Sequence, residues 1–404
     1  MTEKKEIVYV IQPILNDNYK VLHDEIVALI ESADAEYAGT IYQNIKEIKP
    51  ATYIGEGKLK ELRERLDGLE LTVLFNGELS PSQTLNISAA LDGKKVIDRT
   101  TLILDIFALR AVSSEGKIQV ELAQLKYIYP RLKGKGEALS RLGGGIGTRG
   151  PGETKLETDR RHIRARIRAL ELKLAETEKR RQHLIERRKK ERVKTIALVG
   201  YTNTGKSTLL NALTGSEVFV KNALFATLDP TARSFEIEGV PFLLVDTVGF
   251  LQSLPHHLIE AFQSTLESAV HCDLALIVCD STGEYEMQLN TTLKTLRDMN
   301  FNSPYIIAMN KCDQIADTSA FPKDCVLISA KNKKGLEELK SEIMDRLKDH
   351  FVRAKLFIPY NKSALYGTLR VYLTETSVNY TDSGSEITAI IPEIYADKFR
   401  EFIK

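Results

Sequence analysis

The stretch Gly200-Tyr-Thr-Asn-Thr-Gly-Lys-Ser207 fills the pattern G-x-x-x-x-G-K-[ST] without a mismatch. The apolar run 195–199 before it predicts a short buried strand, and residues 208–213 after it predict a helix. In that context the pattern is typical of a loop whose backbone N–H groups hold phosphate oxygens, assisted by the helix dipole. We expect Lys206 to reach the β- and γ-phosphates and the Ser207 hydroxyl to bind Mg²⁺. The stretch therefore predicts a nucleotide-binding α/β domain.

Three further motifs each follow a predicted strand, which is where an open α/β sheet binds its ligands. Asp246-Thr-Val-Gly249 can hold Mg²⁺ through water and offer a backbone N–H to a γ-phosphate. Asn310-Lys-Cys-Asp313 is specific for guanine, because an aspartate can accept hydrogen bonds from guanine N1–H and the 2-amino group, a donor pair that adenine lacks. Ser329-Ala-Lys331 can direct backbone N–H groups at guanine O6. In this order the motifs predict a GTPase of the translation-factor type.

The length and composition indicate a multidomain globular protein. A chain of 404 residues exceeds one ordinary core, so roughly two to four domains are expected. The net charge of +1 does not by itself suggest a polyanionic partner. The start lacks the apolar core of a signal peptide, and no run nears the roughly 20 apolar residues that span a bilayer. The chain has four cysteines, Cys272, Cys279, Cys312 and Cys325, and they form no C-x-x-C pair. We interpret them as small buried residues of a protein in a reducing cytoplasm.

The charge is unevenly distributed along the chain. Residues 131–194 contain 21 Lys or Arg and 9 Asp or Glu, a net charge of +12, so the rest of the chain carries −11. Apolar residues recur with a period near 3.5 in two runs, one mostly before this basic segment and one within it. This spacing predicts two helices that wind about each other. Two separate helices packed on a sheet are the alternative. The residues of the runs are Ile118, Leu122, Leu125, Tyr129 and Leu132, then Ile163, Ile167, Leu170 and Leu174.

Residues 133–152 between these helices are rich in glycine and are predicted to form a basic loop at the tip of a hairpin. Glycine lets backbone approach closely and Lys or Arg neutralise phosphates, so the loop suits a phosphate-rich pocket; a disordered surface loop is the alternative. Its G-x-G-x-x-G match at 145–150 is rejected as a dinucleotide fingerprint, because no strand precedes it. The candidates for RNA contact are Lys133, Lys135, Arg141, Arg149, Lys155, Arg160 and Arg161.

The predicted fold class is α/β with four parts. We expect a small α/β domain with a mostly parallel sheet at 1–112 and the helical hairpin at 113–193. A GTPase domain with a parallel-rich sheet follows at 194–353, and a small α/β tail at 354–404. The tail is expected to contain a helix from Lys362 to Leu373, a strand near 385–391 and a final helix from Glu393.

These residues resemble the HflX family of bacterial GTPases, within the Obg-HflX superfamily. The most specific matching run is 144–161, and residues 98–107, 225–231 and 246–250 also look like family signatures. The resemblance implies association with the large ribosomal subunit and splitting of stalled or idle ribosomes, with the hairpin reaching toward rRNA of the peptidyl-transferase region. Thr204 departs from the family, which usually has alanine there; we expect little effect, because the position contributes mainly backbone.

The family resemblance also places the first switch, at Phe225–Asp229, where Thr227 is expected to reach Mg²⁺ and the γ-phosphate. Loss of that phosphate then releases this loop and the Gly249 loop. The residues expected to act in hydrolysis are Lys206, Thr227, Gly249 and Phe250, and those expected to hold the metal are Ser207, Thr227 and, through water, Asp246. The full predicted GTP site is Gly200, Tyr201, Thr202, Asn203, Thr204, Gly205, Lys206, Ser207, Thr208, Phe225, Ala226, Thr227, Leu228, Asp229, Asp246, Thr247, Val248, Gly249, Asn310, Lys311, Asp313, Ser329, Ala330 and Lys331.

Phe250 occupies the position where many GTPases carry the glutamine that orients the attacking water. A phenyl ring can neither donate nor accept such hydrogen bonds. We therefore expect slow intrinsic hydrolysis that depends on a partner, the ribosome. His256 and His257 follow closely, and we interpret them as surface residues of the second switch.

Two further hypotheses concern the cofactor and the function class. Asn203 resembles the phosphate-loop asparagine of potassium-activated GTPases, so K⁺ is a cofactor hypothesis besides Mg²⁺. We expect a cytoplasmic monomer that does not bind DNA. The alternative function is a nucleotide-dependent RNA-remodelling enzyme with a second ATP site in the N-terminal half; it is weaker because the sequence has no second Walker motif.

Overall fold

The computed structural model of the chain describes residues 5–15, 19–141, 151–191, 193–215, 224–225, 231–252, 258, 270–317 and 321–403, with the side chains of 133–141, 151–157 and 181–191 left out. The described residues form two units. The first contains those up to 186 together with Leu224, Phe225, Leu251, Gln252 and Leu258; the second contains those of 187–215, 231–250 and 270–403. Among the described helices, none is long and apolar enough to cross a membrane.

The first unit is built on a four-stranded sheet of order β2-β1-β3-β4, in which every pairing is parallel. All four residues of β3 are buried, as expected for a parallel sheet that helices cover. The mostly parallel sheet predicted for residues 1–112 is therefore confirmed. Its elements are β1 (Ile7–Ile14), α1 (Tyr19–Ser32), β2 (Glu36–Asn44), α2 (Glu56–Arg65), β3 (Thr72–Phe75), α3 (Pro81–Ala90), β4 (Val96–Asp98) and α4 (Arg99–Arg110).

The two long helices of the first unit are α5 (Ser114–Arg141) and α6 (Pro151–Glu191). Ion pairs join them, because Arg166 Nε and Nη2 donate to the Glu121 carboxylate at 2.6 and 2.8 Å, and Lys126 lies 2.8 Å from Glu171. The helix α5 continues through the first glycines of the predicted tip loop to Arg141. The prediction that the loop begins at Lys133 was therefore wrong by nine positions, because glycine costs a helix only about 1 kcal/mol and does not end it.

The buried face of α5 differs from the predicted seam. Val120, Ala123 and Tyr127 are buried, whereas Ile118 and Leu125 are only half-buried. The helix α5 contacts α3 and α4 as well as pairing with α6. Its heptad-like pattern therefore serves two sets of neighbours, α6 on one side and α3 and α4 on the other.

The second unit contains a six-stranded sheet of order β10-β9-β8-β5-β7-β6, parallel except for the β6–β7 pair. Residues 196–199 of β5, one of the two central strands, are completely buried. The elements are β5 (Lys194–Gly200), α7 (Lys206–Thr214), β6 (Thr231–Ile237), β7 (Val240–Asp246), β8 (Leu274–Asp280), α8 (Tyr285–Asp298), β9 (Tyr305–Asn310), β10 (Cys325–Leu327) and α9 (Leu336–Arg346).

The tail forms a three-stranded antiparallel sheet of order β11-β13-β12, with β11 at Phe351–Pro359, β12 at Thr374–Thr381 and β13 at Gly384–Pro392. The sequence prediction missed β12. It also placed one helix over Lys362–Leu373, where the structure has α10 (Ser363–Leu369) and a 3-10 turn (Arg370–Tyr372). The final helix is a 3-10 helix (Glu393–Phe399). The sequence of β12, TETSVNYT, is mostly polar and has no regular alternation of apolar and polar residues, so it gives little signal for a strand.

The base of the hairpin offers a test of what anchors α5. The buried Tyr127 hydroxyl donates to the Asp98 carboxylate, and the Arg131 guanidinium carbon lies 3.3 Å from the centre of the Tyr127 ring. We expect Tyr127→Phe to lower the free energy of unfolding by about 1.5–3 kcal/mol, because it leaves a buried carboxylate short of a donor. Tyr129→Phe is the matched control, since that hydroxyl is bound by Arg164 in an exposed position. Urea unfolding of the two variants checks this; equal losses would contradict it.

Candidate nucleotide-binding site

The four predicted nucleotide motifs meet at one edge of the six-stranded sheet. Gly200, Asp246 and Asn310 are the last residues of the parallel strands β5, β7 and β9, and Ser329 lies two residues beyond β10. The carboxyl ends of parallel strands share an edge, so the chain brings these loops together without further bending. These four motifs lie within the second unit.

The phosphate loop ends at Gly205, which caps α7 in a left-handed conformation with φ of +92°. A Cβ atom there would lie 2.3 Å from the Asn310 side-chain nitrogen, so only glycine fits. The first turn of α7 then points its free N–H groups at the mouth of the loop. This is the arrangement that an anionic phosphate group requires.

Lys206 is buried beneath the phosphate loop, with 7% of its surface exposed. Its ammonium donates to the Tyr201 carbonyl at 2.7 Å and to the Gly200 carbonyl at 3.2 Å. Burial lowers the pKa of Lys206 to about 8, although the nearby Asp246 carboxylate favours the charged form. The lysine is thus a desolvated cation, which strengthens its attraction to a phosphate group.

The predicted metal ligands Ser207 and Asp246 are in contact. The Ser207 hydroxyl donates to Asp246 Oδ2 at 2.6 Å, and Asp246 is completely buried. A hydroxyl and a carboxylate are hard oxygen donors of the kind that Mg²⁺ prefers. These two side chains therefore fit a magnesium ion at this point of the site.

Gly249 and Phe250 hold the second motif against the phosphate loop. A Cβ atom on Gly249 would lie 2.9 Å from Lys206 Nζ and 2.7 Å from Thr202 Cγ2. The Phe250 N–H donates to the Gly200 carbonyl at 3.0 Å, and its own carbonyl accepts from the Thr202 N–H at 2.8 Å. The Phe250 ring is only 2% exposed. Phe250 is therefore a packed residue whose backbone fastens two loops, and its ring offers no polar group to water.

Asn310 joins three loops through its side-chain amide. Its nitrogen donates to the Thr204 carbonyl at 2.8 Å, and its oxygen accepts from the Ala330 N–H at 2.9 Å. The side chain is 3% exposed. The sequence prediction assigned Asn310 to the guanine site, and the geometry shows that it acts on the surrounding loops rather than presenting its amide to solvent.

Lys311 and Asp313 follow Asn310 with different surroundings. Lys311 has a φ of +65° and donates to the Asn203 carbonyl at 3.1 Å and to Asp280 at 2.5 Å. Asp313 is exposed, and a hydrogen bond from the Ser329 hydroxyl lowers the pKa of its carboxyl group. An ionised, accessible carboxylate is the acceptor that guanine recognition requires. The sequence prediction missed Asp280, whose signal was its place at the end of β8.

Some predicted site residues lie elsewhere. Phe225 belongs to the first unit, where its ring lies 4.6 Å from the Phe107 ring and the neighbouring Leu224 N–H donates to Ser32 Oγ at 2.9 Å. Among the hairpin residues, the Arg160 guanidinium lies 5.3 Å from the centre of the Tyr129 ring, and Arg161 is exposed. Outside the described residues or side chains lie Ala226, Thr227, Leu228, Asp229, His256, His257, Lys133, Lys135, Arg141, Arg149 and Lys155.

The remaining positions of the predicted site lie on its loops. Thr247 is buried and donates to the Leu198 carbonyl at 2.7 Å, which fixes the start of the second motif. Tyr201 pairs with Phe250 as an isolated parallel bridge. Asn203 has a φ of +61° and an exposed side chain. Thr208 is half-buried in the first turn of α7, Val248 is buried beside Gly249, and Lys331 is exposed beyond Ser329.

Comparison with known proteins agrees with this geometry. Family models match residues 21–108 (GTP-binding GTPase N-terminal), 110–188 (GTP-binding GTPase middle region) and 195–311 (50S ribosome-binding GTPase). GTPase HflX of Caldanaerobacter subterraneus subsp. tengcongensis is 46% identical, covering 94% of this chain and 90% of that protein. GTPase HflX of Escherichia coli is 39% identical, covering 84% and 82%. The chain belongs to the HflX family of GTPases.

The crystal structure of SsGBP in complex with GDP has a similar fold. It is 27% identical with a TM-score of 0.50 and covers 86% of this chain and 99% of that chain. The predicted family and fold class are confirmed, and this HflX family member is a GTPase. The four-part division at 112, 193 and 353 stays a prediction.

The buried ammonium of Lys206 gives a test by pH. The pKa of Lys206 is about 8 in the folded protein and 10.5 in its ordinary state. In the pH window between these two values the unfolded chain binds more protons than the folded chain, so the free energy of unfolding rises with pH. Lys206→Met removes this titration. We expect the unfolding free energy of the wild type minus that of the variant to rise by roughly 2–3 kcal/mol across the window in nucleotide-free protein.

Urea unfolding at both ends of this pH window measures that difference. Subtraction cancels the contribution of the Cys272 thiol, whose pKa burial raises to about 12 without any influence of Lys206. Parallel pH profiles for wild type and variant would contradict the burial of a charged lysine.

Proposed function

We propose that this GTPase is a GTP-switched factor that binds the large ribosomal subunit and splits stalled or idle ribosomes. The observation that carries the proposal is the match of residues 195–311 to the 50S ribosome-binding GTPase model, on a chain whose HflX relatives match along most of its length. The net charge of +12 over residues 131–194 supports it, since such a segment suits rRNA.

In this proposal the second unit binds the nucleotide and recognises its base. The Asp313 carboxylate accepts from guanine N1–H and the 2-amino group, while the Ala330 and Lys331 backbone approaches O6. Lys206 and the N–H groups at the start of α7 hold the β- and γ-phosphates. Ser207, Thr227 and, through water, Asp246 would hold Mg²⁺. When bound, the ion would supply positive charge that stabilises the phosphate groups during hydrolysis.

Hydrolysis in the isolated protein is proposed to be slow. Phe250 is packed with its ring buried, so no side chain at this position can orient the attacking water. Two residues of the first unit that lie close in sequence to the nucleotide motifs support a switch role. Phe225 packs on Phe107 and directly precedes Ala226 and Thr227, while the Gln252 carbonyl, two residues after Phe250, accepts from Arg99 Nη2 at 3.0 Å.

The hairpin is proposed to contact rRNA near the peptidyl-transferase region. On α6, Arg161 and Arg168 are exposed, whereas Arg166 is paired with Glu121, so part of the cationic face is open to phosphates. The proposed contacts are Lys133, Lys135, Arg141, Arg149, Lys155, Arg160 and Arg161. We propose that the protein acts as a cytoplasmic monomer. Potassium activation through Asn203 stays a prediction, and equal turnover in K⁺ and Na⁺ salts would remove it.

Base recognition can be tested by inverting one donor–acceptor pair. Asp313→Asn places an amide where guanine presents two donors, so we expect GTP affinity to fall by about a hundredfold or more. Xanthine carries a carbonyl in place of the 2-amino group, so the variant should bind xanthosine triphosphate better than GTP. Equilibrium binding of both nucleotides measures the change. Asp324→Asn is the control, since Asp324 is also exposed and lies outside the site. Unchanged GTP preference in Asp313→Asn would contradict the assignment.

Ribosome association can be tested by sedimentation with purified subunits. We expect a non-hydrolysable GTP analogue to strengthen co-sedimentation with large subunits, and large subunits to stimulate GTP turnover. The Asp313→Asn variant sharpens the result, because only a xanthosine analogue should promote its binding, which separates it from any GTPase carried by the subunits. The proposal would be contradicted if the protein did not bind ribosomal subunits, or if it bound them equally well with every nucleotide.

A further inference from the structure

A carboxylate outside the four nucleotide motifs faces the nucleotide site. Asp280 is the last residue of β8, which lies between β5 and β9 in the six-stranded sheet. The carboxyl end of β8 therefore lies between the phosphate loop and the loop that follows Asn310. The side chain of Asp280 is 16% exposed, so its charge is largely withdrawn from water. A carboxylate in such a position is costly unless a cation or hydrogen-bond donors surround it.

The Asp280 carboxylate is held in one orientation by its own loop. Its Oδ1 accepts from the Thr282 N–H at 3.0 Å and from the Thr282 hydroxyl at 2.6 Å. The Asp280 N–H donates to Gln288 Oε1 at 2.9 Å, and Gln288 is buried. The Ser281 N–H donates to the Asn310 carbonyl at 2.9 Å, which joins the same loop to the end of β9. Oδ1 is thus fixed within the loop, and Oδ2 faces the residues that follow β9.

Lys311 connects the two halves of the nucleotide site. Its ammonium donates to Asp280 Oδ2 at 2.5 Å and to the Asn203 carbonyl at 3.1 Å. Because Lys311 directly follows β9, its aliphatic stem extends from the end of that strand to the phosphate loop. A lysine stem that no partner holds has many rotamers of similar energy. The ion pair with Asp280 therefore selects the rotamer in which the stem lies across the site.

The partners of the two lysines in the site separate their roles. The Lys206 ammonium donates to two backbone carbonyls, which do not neutralise its charge. The Lys311 ammonium is instead neutralised by the Asp280 carboxylate. What Lys311 offers a nucleotide is therefore its apolar stem, two residues before the Asp313 carboxylate. Such a stem suits the face of a purine ring, because the methylene groups of lysine cover apolar surface while the ammonium is bound elsewhere.

We propose that Asp280 is a positioning residue for the guanine base and acts through Lys311. It holds the Lys311 stem as a wall against which the face of the base packs, while Asp313 recognises the edge of the base. This role rests on the proposed recognition of guanine by Asp313. The two roles fail separately, because Asp313 sets the preference for guanine over xanthine, whereas Asp280 sets the affinity without changing that preference.

Equilibrium binding of GDP and inosine diphosphate to the full-length protein tests this role. Inosine diphosphate lacks the 2-amino group but presents a similar ring face. We expect Asp280→Asn to raise both dissociation constants by the same factor of about five- to tenfold, because asparagine keeps an acceptor for Thr282 and loses only the charge. Asp273→Asn is the matched control, since Asp273 pairs with Lys194 at 2.8 Å just before the opposite end of β8. It should leave both constants unchanged.

A second background tests whether Asp280 acts through Lys311. Lys311→Met keeps an apolar stem and removes the ammonium, so Asp280 then has no cation to hold. We expect Asp280→Asn to change the GDP dissociation constant by less than about twofold in Lys311→Met protein. A purely structural role of Asp280 would instead weaken binding by the same factor in both backgrounds. That result, unchanged affinity in Asp280→Asn, or a loss for GDP without a loss for inosine diphosphate would overturn the proposal.

Discussion

The side-chain amide of Asn310 is the interaction on which the arrangement of the nucleotide site depends. A buried amide must satisfy both its donor and its acceptor, and the Asn310 nitrogen and oxygen do so on the Thr204 carbonyl and the Ala330 N–H. The two bonds set the phosphate loop and the loop after β10 at fixed distances from the end of β9. Since the Gly205 Cα lies against the same amide, no residue with a side chain fits there. One amide therefore couples the phosphate-binding and base-binding halves of the site.

A second constraint is the close packing around Lys206. The ammonium lies under the phosphate loop with its charge desolvated, and Gly249 approaches it so closely that a methyl group would collide. Phe250 adds backbone hydrogen bonds to the same loop and buries its ring. The Lys206 ammonium is thus a desolvated charge beside the phosphate loop, whereas a buried phenyl ring cannot position water. This combination agrees with the proposal that intrinsic hydrolysis is slow.

The first unit is organised around Arg99 and Asp98 at the junction of β4 and α4. Asp98 accepts from the Thr101 N–H, the Leu79 N–H and the Tyr127 hydroxyl, which joins α4, the loop before α3 and α5. Arg99 bonds Asn76, Glu25 and the Gln252 carbonyl. Asp98 and Arg99 thus connect the sheet edge, the hairpin base and the segment just after the Asp246–Gly249 motif. A charge buried at such a junction is tolerated because several hydrogen bonds surround it.

Local sequence patterns suffice to predict the features that depend on residues close together in the chain. The glycine pattern at 200–207, the strands that end in Asp246 and Asn310, and the alternation of helices and strands are all local signals, and they predicted the fold class and the motif loops. Other features follow only from contacts in space: the buried face of α5, the pairing of β12 with β13, and the hydrogen bond from Asn310 to Thr204 across 106 positions of sequence. The physical reason is that a hydrogen-bond partner or a packed neighbour is chosen by distance in space. Periodicity and propensity report only on contacts within a few residues along the chain.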